Sequence, residues 1–420
     1  MLKRYRYRAY PTGEQARAAA RTFGCARVVF NDFLARRRDL RQEGRHREVP
    51  FSETVKDVTT RAKLTPERAW LSEVSNTPLQ QSVRDAERAY RNWFDSLSGK
   101  RKGRRMGFPR FKSRRDHRQS VRFTRNSRFS VRETTHGVGF VRLPKVGEVR
   151  FALSRPLPSE PSSVTLIRSA SGVWHVSFVV EVPDPDPLPK TGRVAGIDLG
   201  LTDLAAIAYS DGTREKVASP RHLRAKERKL ARAQRELARR QKGSANRAKS
   251  RVKVARIHEK VAATRLDHHH KLASRLVREN QAIGLETLSI TGLARTRLAR
   301  SIHDAGWGTL VRLIEEKASE HGRTVVREGR FAPTTRTCSV CGVLSDPKPL
   351  SVRTWTCAGC GAALDRDYNA ATNLMVAAGR AETENACGGD VRRQPDRALR
   401  LCLASAVPAE AGTRRTDQVA

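Results

Sequence analysis

Carboxylates are in short supply in this chain: 43 Asp and Glu stand against 82 Lys and Arg among 420 residues, a formal net charge of +39. A small acidic metabolite does not require such an excess; a polyanion does, because each phosphate neutralised by Lys or Arg releases condensed counterions. Aromatic residues are also few, at 6%, which argues against base stacking as the main source of affinity. No apolar run approaches the roughly 20 residues that a membrane span needs; Val176 to Val180 is typical of the longest. The opening Met1-Leu2-Lys3-Arg4-Tyr5 lacks an apolar signal core, so a cytoplasmic, nucleoid-associated protein without membrane contact is expected. Core material is not lacking. A hydrophobic content of 38% over 420 residues predicts two to four folded domains at about 100–200 residues each. The seven cysteines are an odd total, four of them between 338 and 360, which argues against a disulfide framework and for a metal. Cys25, Cys387 and Cys402 stand alone and read as buried or tail thiols.

Residues 11–97 read as mostly helical. Thr12 is an N-cap candidate with Gln15 three residues on, and a second start lies near Asn76-Thr77-Pro78, followed by Leu79, Val83, Ala86 and Tyr90 at helical spacing. Residues 100–115 hold nine Lys or Arg and no acid around Gly107-Phe108-Pro109-Arg110-Phe111, a density that points to phosphate contact. Lys100, Arg101, Lys102, Arg104, Arg105, Arg110 and Lys112 are the candidates there. From about 119 to 184 the pattern alternates, as in Val121-Arg122-Phe123-Thr124 and Val164-Thr165-Leu166-Ile167, and a small antiparallel barrel is expected. Pro and Asp enrichment over 183–191 marks a linker. Residues 221–260 carry 16 Lys or Arg and three acids. Leu223, Leu230 and Leu237 mark one helix there, Val254, Ile257 and Val261 a second, and a turn near Lys242-Gly243-Ser244 makes a hairpin. Its one-sided charge favours nucleic acid over a merely solvated face, with Arg235, Arg239, Arg240 and Arg247 as candidate contacts.

Cys338-x2-Cys341 and Cys357-x2-Cys360 are separated by fifteen residues, the spacing of a structural Zn²⁺ site. Four thiolates close the tetrahedron and leave no position open for chemistry. Three acids sit in unusual company. Asp198 interrupts the apolar run Val194–Gly200, where an unpaired carboxylate is poorly tolerated, and Glu286 does the same in Ala282–Leu288. Between them a helix is expected roughly from Leu266 to Arg278, which contains His268-His269-His270. In Leu364-Asp365-Arg366-Asp367-Tyr368-Asn369-Ala370-Ala371, one Asp can cap the following helix; Asp365 is expected to cap and Asp367 to point into a site. Two strand acids and one at a helix start suit two-metal phosphodiester hydrolysis, in which hard cations about 4 Å apart take oxygen ligands.

Gly196-Ile197-Asp198-Leu199-Gly200, Gly284-Leu285-Glu286 and Cys357-x2-Cys360-Gly361-x3-Asp365-Arg366-Asp367-x-Asn369-Ala370-Ala371 resemble the three RuvC-like motifs of the TnpB (OrfB) transposon-associated proteins, relatives of the compact type V CRISPR effectors. Tyr7–Gln15, Gly24–Asn31, Leu79–Asp85 and Gly107–Phe111 are similar to that family too, in colinear order over residues 1–385. The resemblance implies an α+β multidomain chain. A wedge-like β-barrel is expected over 1–10 and 105–184, with a helical recognition domain inserted over 11–104. An RNase H-like (RuvC) nuclease core follows over 192–333 and 362–385, carrying the basic hairpin 221–265 and enclosing a zinc ribbon at 334–361. A disordered tail is expected over 386–420. The resemblance further implies an RNA-guided DNA endonuclease that binds a guide RNA from the element end and target double-stranded DNA, reading a short flanking motif itself. Asp198, Glu286 and Asp367 become ligands of two catalytic Mg²⁺ ions, and Cys338, Cys341, Cys357 and Cys360 those of one Zn²⁺. Arg27 and Asn31 join the candidate nucleic-acid contacts. Two other classes compete: a non-catalytic nucleic-acid-binding regulator, and a transposase acting on the element's own DNA. The intact acid triad speaks against the first; the resemblance and the lack of a tyrosine nucleophile motif disfavour the second. Nothing in the sequence selects monomer or dimer.

Overall fold

The computed structural model describes residues 1–134, 137–349 and 351–386. From Cys387 onward, the tail expected over 386–420 lies outside the described residues, as does Cys402. The chain divides into two compact units, one of Met1–Asp184 with Arg232–Ile257, the other of Pro185–Ala231 with the chain from His258 onward.

In the first unit, β1 (Leu2–Tyr10) leads into α1 (Gly13–Gln42). The helix starts where a capping box forms: Thr12 Oγ1 accepts from Gln15 N at 3.3 Å, and Gln15 Oε1 accepts from Thr12 N at 2.9 Å. The short α2 (Phe51–Lys56) and several 3-10 turns lead to α3 (Asn76–Leu97). Leu79, Val83 and Ala86 of α3 pack with Val29, Phe33 and Leu34 of α1. Six further strands follow: β2 (Gln119–Thr124), β3 (Ser130–Glu133), β4 (Val138–Leu143), β5 (Gly147–Ala152), β6 (Ser163–Arg168) and β7 (Trp174–Glu181). All pairings are antiparallel, in the order β2-β6-β7-β1-β5-β4-β3. Period-2 alternation puts Tyr7, Phe123, Phe151 and Phe178 on the buried face.

The expected barrel is not closed. β2 and β3 end the order, with no pairing between them among the described residues. Edge β2 is covered instead by helix α3, whose Asp85 takes an ion pair from Arg122 at 3.0 Å. A helix laid over an edge removes the drive for strands to close on one another.

In the second unit the central sheet comprises β8 (Val194–Asp198), β9 (Asp203–Tyr209), β10 (Arg214–Ala218), β11 (Ala282–Glu286) and β12 (Thr324–Glu328), in the order β10-β9-β8-β11-β12. The first three are antiparallel neighbours, and β11 runs parallel to both β8 and β12. This is the strand order of an RNase H-like core. Between β10 and β11 the chain forms α4 (Glu227–Arg239) and α5 (Ala245–Glu279), of which the stretch Arg232–Ile257 belongs to the first unit. The sequence suggested separate helices near 254–261 and 266–278; α5 is continuous, because its 35 residues contain no Gly or Pro to stop it. Helices α6 (Ile290–Leu293), α7 (Ala299–Ala305) and α8 (Trp307–Glu320) precede β12. One sheet face buries Ala195, Ile197, Ile283 and Leu285 against Leu272 and Leu276 of α5 and Leu310 and Ile314 of α8. After β12 come the cysteine segment with β13 (Thr354–Thr356) and β14 (Ala363–Asp365), then α9 (Arg366–Ala386), which covers the other face. No described helix is long and apolar enough to cross a membrane.

Candidate active site and nucleic-acid interface

The acids meet because of two glycines. Along β8, Gly196 and Asp198 face one side and Ala195 and Ile197 the other; along β11, Gly284 and Glu286 repeat the arrangement. Helix α9 crosses on the glycine side with its backbone against the strands. A Cβ at Gly196 would lie 2.0 Å from Ala371 O, and one at Gly284 would lie 2.1 Å from Leu374 O. Glycine is therefore required at both positions. Asp367 lies one helical turn before Ala371, on the same stripe, and so faces the ends of β8 and β11. Parallel register pairs Ile197 with Leu285, which brings Asp198 and Glu286 level at the next position. These are the carboxyl ends of parallel strands, where α/β sheets carry their sites.

Burial, then the nearby charges of Glu286 and Asp367, push the Asp198 carboxyl up to about 7, while Arg366 and Arg353 pull it back in part. Burial raises the Glu286 carboxyl as well. Such a cluster gains most from a cation, and an all-oxygen donor set suits hard divalent ions. Among the described residues, only the four cysteines form a group whose ligand atoms all lie within 4.8 Å of one another.

Asp365 caps α9, its Oδ1 accepting from Asp367 N and Tyr368 N at 3.0 Å each. Its other oxygen takes Lys216 Nζ at 2.8 Å, and that ammonium also lies 3.8 Å from Asp367. Arg353 Nη1 stands 3.4 Å from Asp367 Oδ1. Sequence reasoning singled out neither cation. Lys216 comes from edge strand β10, and Arg353 precedes β13; no local pattern marks either.

Cys338 and Cys360 bring their sulfurs to 3.8 Å, and Cys341 and Cys357 to 3.5 Å. A tetrahedron of thiolates with Zn–S of about 2.3 Å has edges of about 3.8 Å, so the donor set and its size fit Zn²⁺. Gly342 and Gly361, at φ +77° and +72°, turn the chain after each cysteine pair. Asn369 and Asn373 of α9 seat this ribbon. Asn369 Nδ2 donates to Thr334 O and Thr337 O at 3.2 and 2.8 Å, its Oδ1 accepts from Ser339 N at 2.8 Å, and Asn373 Nδ2 reaches the same two carbonyls at 2.7 and 2.8 Å. Cys25, by contrast, is a buried core thiol. His269 is buried in α5, where desolvation pulls its pKa down to about 4 and keeps it neutral.

In the first unit a cleft of about 540 Å³ is lined by Arg4, Arg27, Arg88, Arg118 and Arg122 with Asp85 and Asp116. Asn31 uses its amide on the loop beside that cleft: Oδ1 accepts from Lys112 N at 2.8 Å and Nδ2 donates to Lys112 O at 3.0 Å. Lys112 Nζ lies 3.9 Å from the centre of the Phe30 ring. Phe108 anchors the same loop edge-on to Trp93 and Tyr90, at 5.0 and 5.9 Å between ring centres. Lys100, Lys102, Arg104, Arg105 and Arg110 are exposed, and Arg101 bonds Asn92 Oδ1 at 3.2 Å. Arg235 and Arg239 are exposed on α4, and Arg240 lies 3.9 Å from Glu236. Arg247 closes the end of α4, its Nη1 donating to Leu237 O and Arg240 O at 2.9 and 2.7 Å.

An RNase H-like sheet with three acids at the ends of its strands β8 and β11, and a four-cysteine ribbon on the helix carrying the third, is the fold of a class of nucleases. Solved structures share the fold, and two of them illustrate it. One is a Cas12f1–sgRNA–target DNA complex, at TM-score 0.55 and 14% identity over 89% of this chain and 98% of that one. The other is the mini-RNA-guided endonuclease CRISPR-Cas_phi3, at TM-score 0.53 and 10% identity over 90% and 92%. Residues 177–297 match the OrfB family of IS605 elements, described as "Probable transposase". Residues 307–374 match the Cas12f1-like TNB domain. Residues 1–46 match a helix-turn-helix domain, although here they form mainly β1 and the single helix α1. A Streptomyces pristinaespiralis protein named "Putative RNA-guided DNA endonuclease" is 41% identical over 93% of this chain and 92% of its own length. The Escherichia coli protein carrying the same description with the name InsQ is 30% identical over 90% and 92%. The chain belongs to the TnpB (OrfB) family.

Proposed function

We propose that this chain is an RNA-guided DNA endonuclease, with Asp198, Glu286 and Asp367 as its metal-binding acids. The observation that carries this reading is the convergence of the three carboxylates on the glycine face of the sheet, where burial disfavours the charged forms of Asp198 and Glu286. The relatives' names and the colinear motifs point the same way. Two Mg²⁺ ions held there would supply the Lewis acid for phosphodiester hydrolysis, at the attacking water and at the leaving 3′ oxygen. Asp198 and Glu286 hold their oxygens on two neighbouring strands, and Asp367 closes the set from the helix. Lys216 and Arg353 balance the charge of Asp367. Cys338, Cys341, Cys357 and Cys360 hold one structural Zn²⁺. The basic loop 100–112 and the α4–α5 hairpin bind the phosphate backbones of a guide RNA and the target DNA duplex, while base pairing selects the target. A regulator that only binds has no use for acids set in apolar strands.

RNA that co-purifies with the protein from its native locus tests the guided part. A discrete species running into sequence flanking the element is expected, and only heterogeneous, salt-sensitive RNA would overturn it. Asp198→Ala tests the chemistry. It is expected to abolish Mg²⁺-dependent cleavage and leave nucleic-acid affinity within about twofold in a filter-binding assay. Equal loss of both would make the acid structural.

A further inference from the structure

The two asparagines on α9 do more than seat a ribbon. Asn369 is 2% exposed and Asn373 is 1% exposed, and four residues apart they share one side of the helix. Both aim at the two carbonyls that precede Cys338, those of Thr334 and Thr337, and Asn369 also holds the amide of Ser339, inside the first cysteine pair. Asn373 Oδ1 has no hydrogen-bond partner, so that side chain is present for its donor group. The far side of the ribbon grips the start of the same helix: Arg366 N donates to Arg353 O at 2.7 Å and Arg366 Nη1 to Pro349 O at 2.9 Å, while Arg353 reaches Asp367. Asp367 thus lies between two attachments to the cysteine segment, two residues from Asn369.

We propose that Asn369 and Asn373 are positioning residues, which transmit the folded state of the four-cysteine ribbon to the carboxylate of Asp367, so that divalent-cation binding at the acid site depends on zinc in the ribbon. The dependence rests on the reading of Asp198, Glu286 and Asp367 as cation ligands. It follows from the hydrogen-bond inventory. With the ribbon unfolded, two buried amides on α9 lose their partners, and a helix start anchored at Arg353 and Pro349 loses its anchors. Partners that orient a metal ligand from behind typically change metal affinity 10–100-fold when removed.

The test reads Mn²⁺ binding by electron paramagnetic resonance on the zinc-loaded full chain, with zinc per chain measured by elemental analysis. Asn369→Leu is expected to keep one zinc per chain, to keep nucleic-acid affinity, and to weaken Mn²⁺ binding at least tenfold; Asn373→Leu should show a smaller loss in the same direction. Unchanged Mn²⁺ affinity in Asn369→Leu would overturn the coupling. Should that variant lose its zinc or its fold, the parent chain decides. Zinc removal by a chelator, followed by desalting, is expected to weaken Mn²⁺ binding at least tenfold while far-ultraviolet circular dichroism keeps the sheet signal. Full Mn²⁺ affinity in the zinc-free chain would overturn the proposal. Mn²⁺ binding that is indifferent to Asp198→Ala would instead overturn the acid reading, and the coupling with it.

Discussion

Asp198 is held where a carboxylate least wants to be charged, and this has two measurable consequences. Its folded-state pKa of about 7 compares with about 3.9 in an unfolded chain. The folded chain therefore binds that proton more tightly. The associated stability is fully present below about pH 4 and lost as pH rises through 7. In Mg²⁺-free, zinc-replete buffer, Asp198→Asn is expected to melt several degrees above the parent at pH 8 and close to it at pH 4. At limiting Mg²⁺, cleavage should rise with pH through about 7, because the cation competes with the proton. Raising Mg²⁺ should move the midpoint to lower pH, as initial rates at two Mg²⁺ concentrations would reveal. The glycines are equally constrained. Gly196→Ala puts a methyl group 2.0 Å from Ala371 O, which only a backbone shift can relieve. A loss of about 2 kcal/mol or more in urea unfolding is expected, with cleavage falling further than stability explains.

At the scale of elements, the ribbon is the part whose stability depends on a ligand. Cys357→Ser should release zinc on elemental analysis and lower the first thermal transition, because Cys338, Trp355 and Leu364 supply only a small core of their own. This element was legible in the sequence because cysteine spacing is a geometric statement in itself. Strands β8 and β11 were legible for another reason: a single acid in a short apolar run has few explanations. Thr12 and Gln15 announced α1 through chemistry local to four residues. What stayed hidden was set by distant contacts. The open edge of the first sheet depends on α3 covering β2 through Asp85 and Arg122, residues 37 apart in sequence. The continuity of α5 was obscured because Arg265, His268 and His269, none of them apolar, occupy its inward stripe between Val261 and Leu272. Lys216 and Asp365 meet across 149 residues. Asn31 and Arg247 carry no mark to show that their polar groups are spent on backbone atoms.

For the molecule as a whole, a net charge of +39 predicts that affinity for unrelated duplex DNA collapses with salt. A log–log slope of about −6 or steeper between 50 and 200 mM KCl is expected by fluorescence anisotropy. Paired Arg235→Glu and Arg239→Glu should make that slope shallower by about two or more without altering zinc content.

The order of the acids along the chain adds a point about timing. Asp198 and Glu286 lie on strands made early, and Asp367 rides on α9, the last described element, which must settle onto Gly196 and Gly284 before the site exists. Synthesis at about 5–20 residues per second separates the first carboxylate from the third by roughly ten to thirty seconds. Through that interval the chain carries its basic loop and hairpin but not the third acid. On the reading of Asp367 as a metal ligand, a chain that stops short of α9 is expected to bind nucleic acid without cutting it.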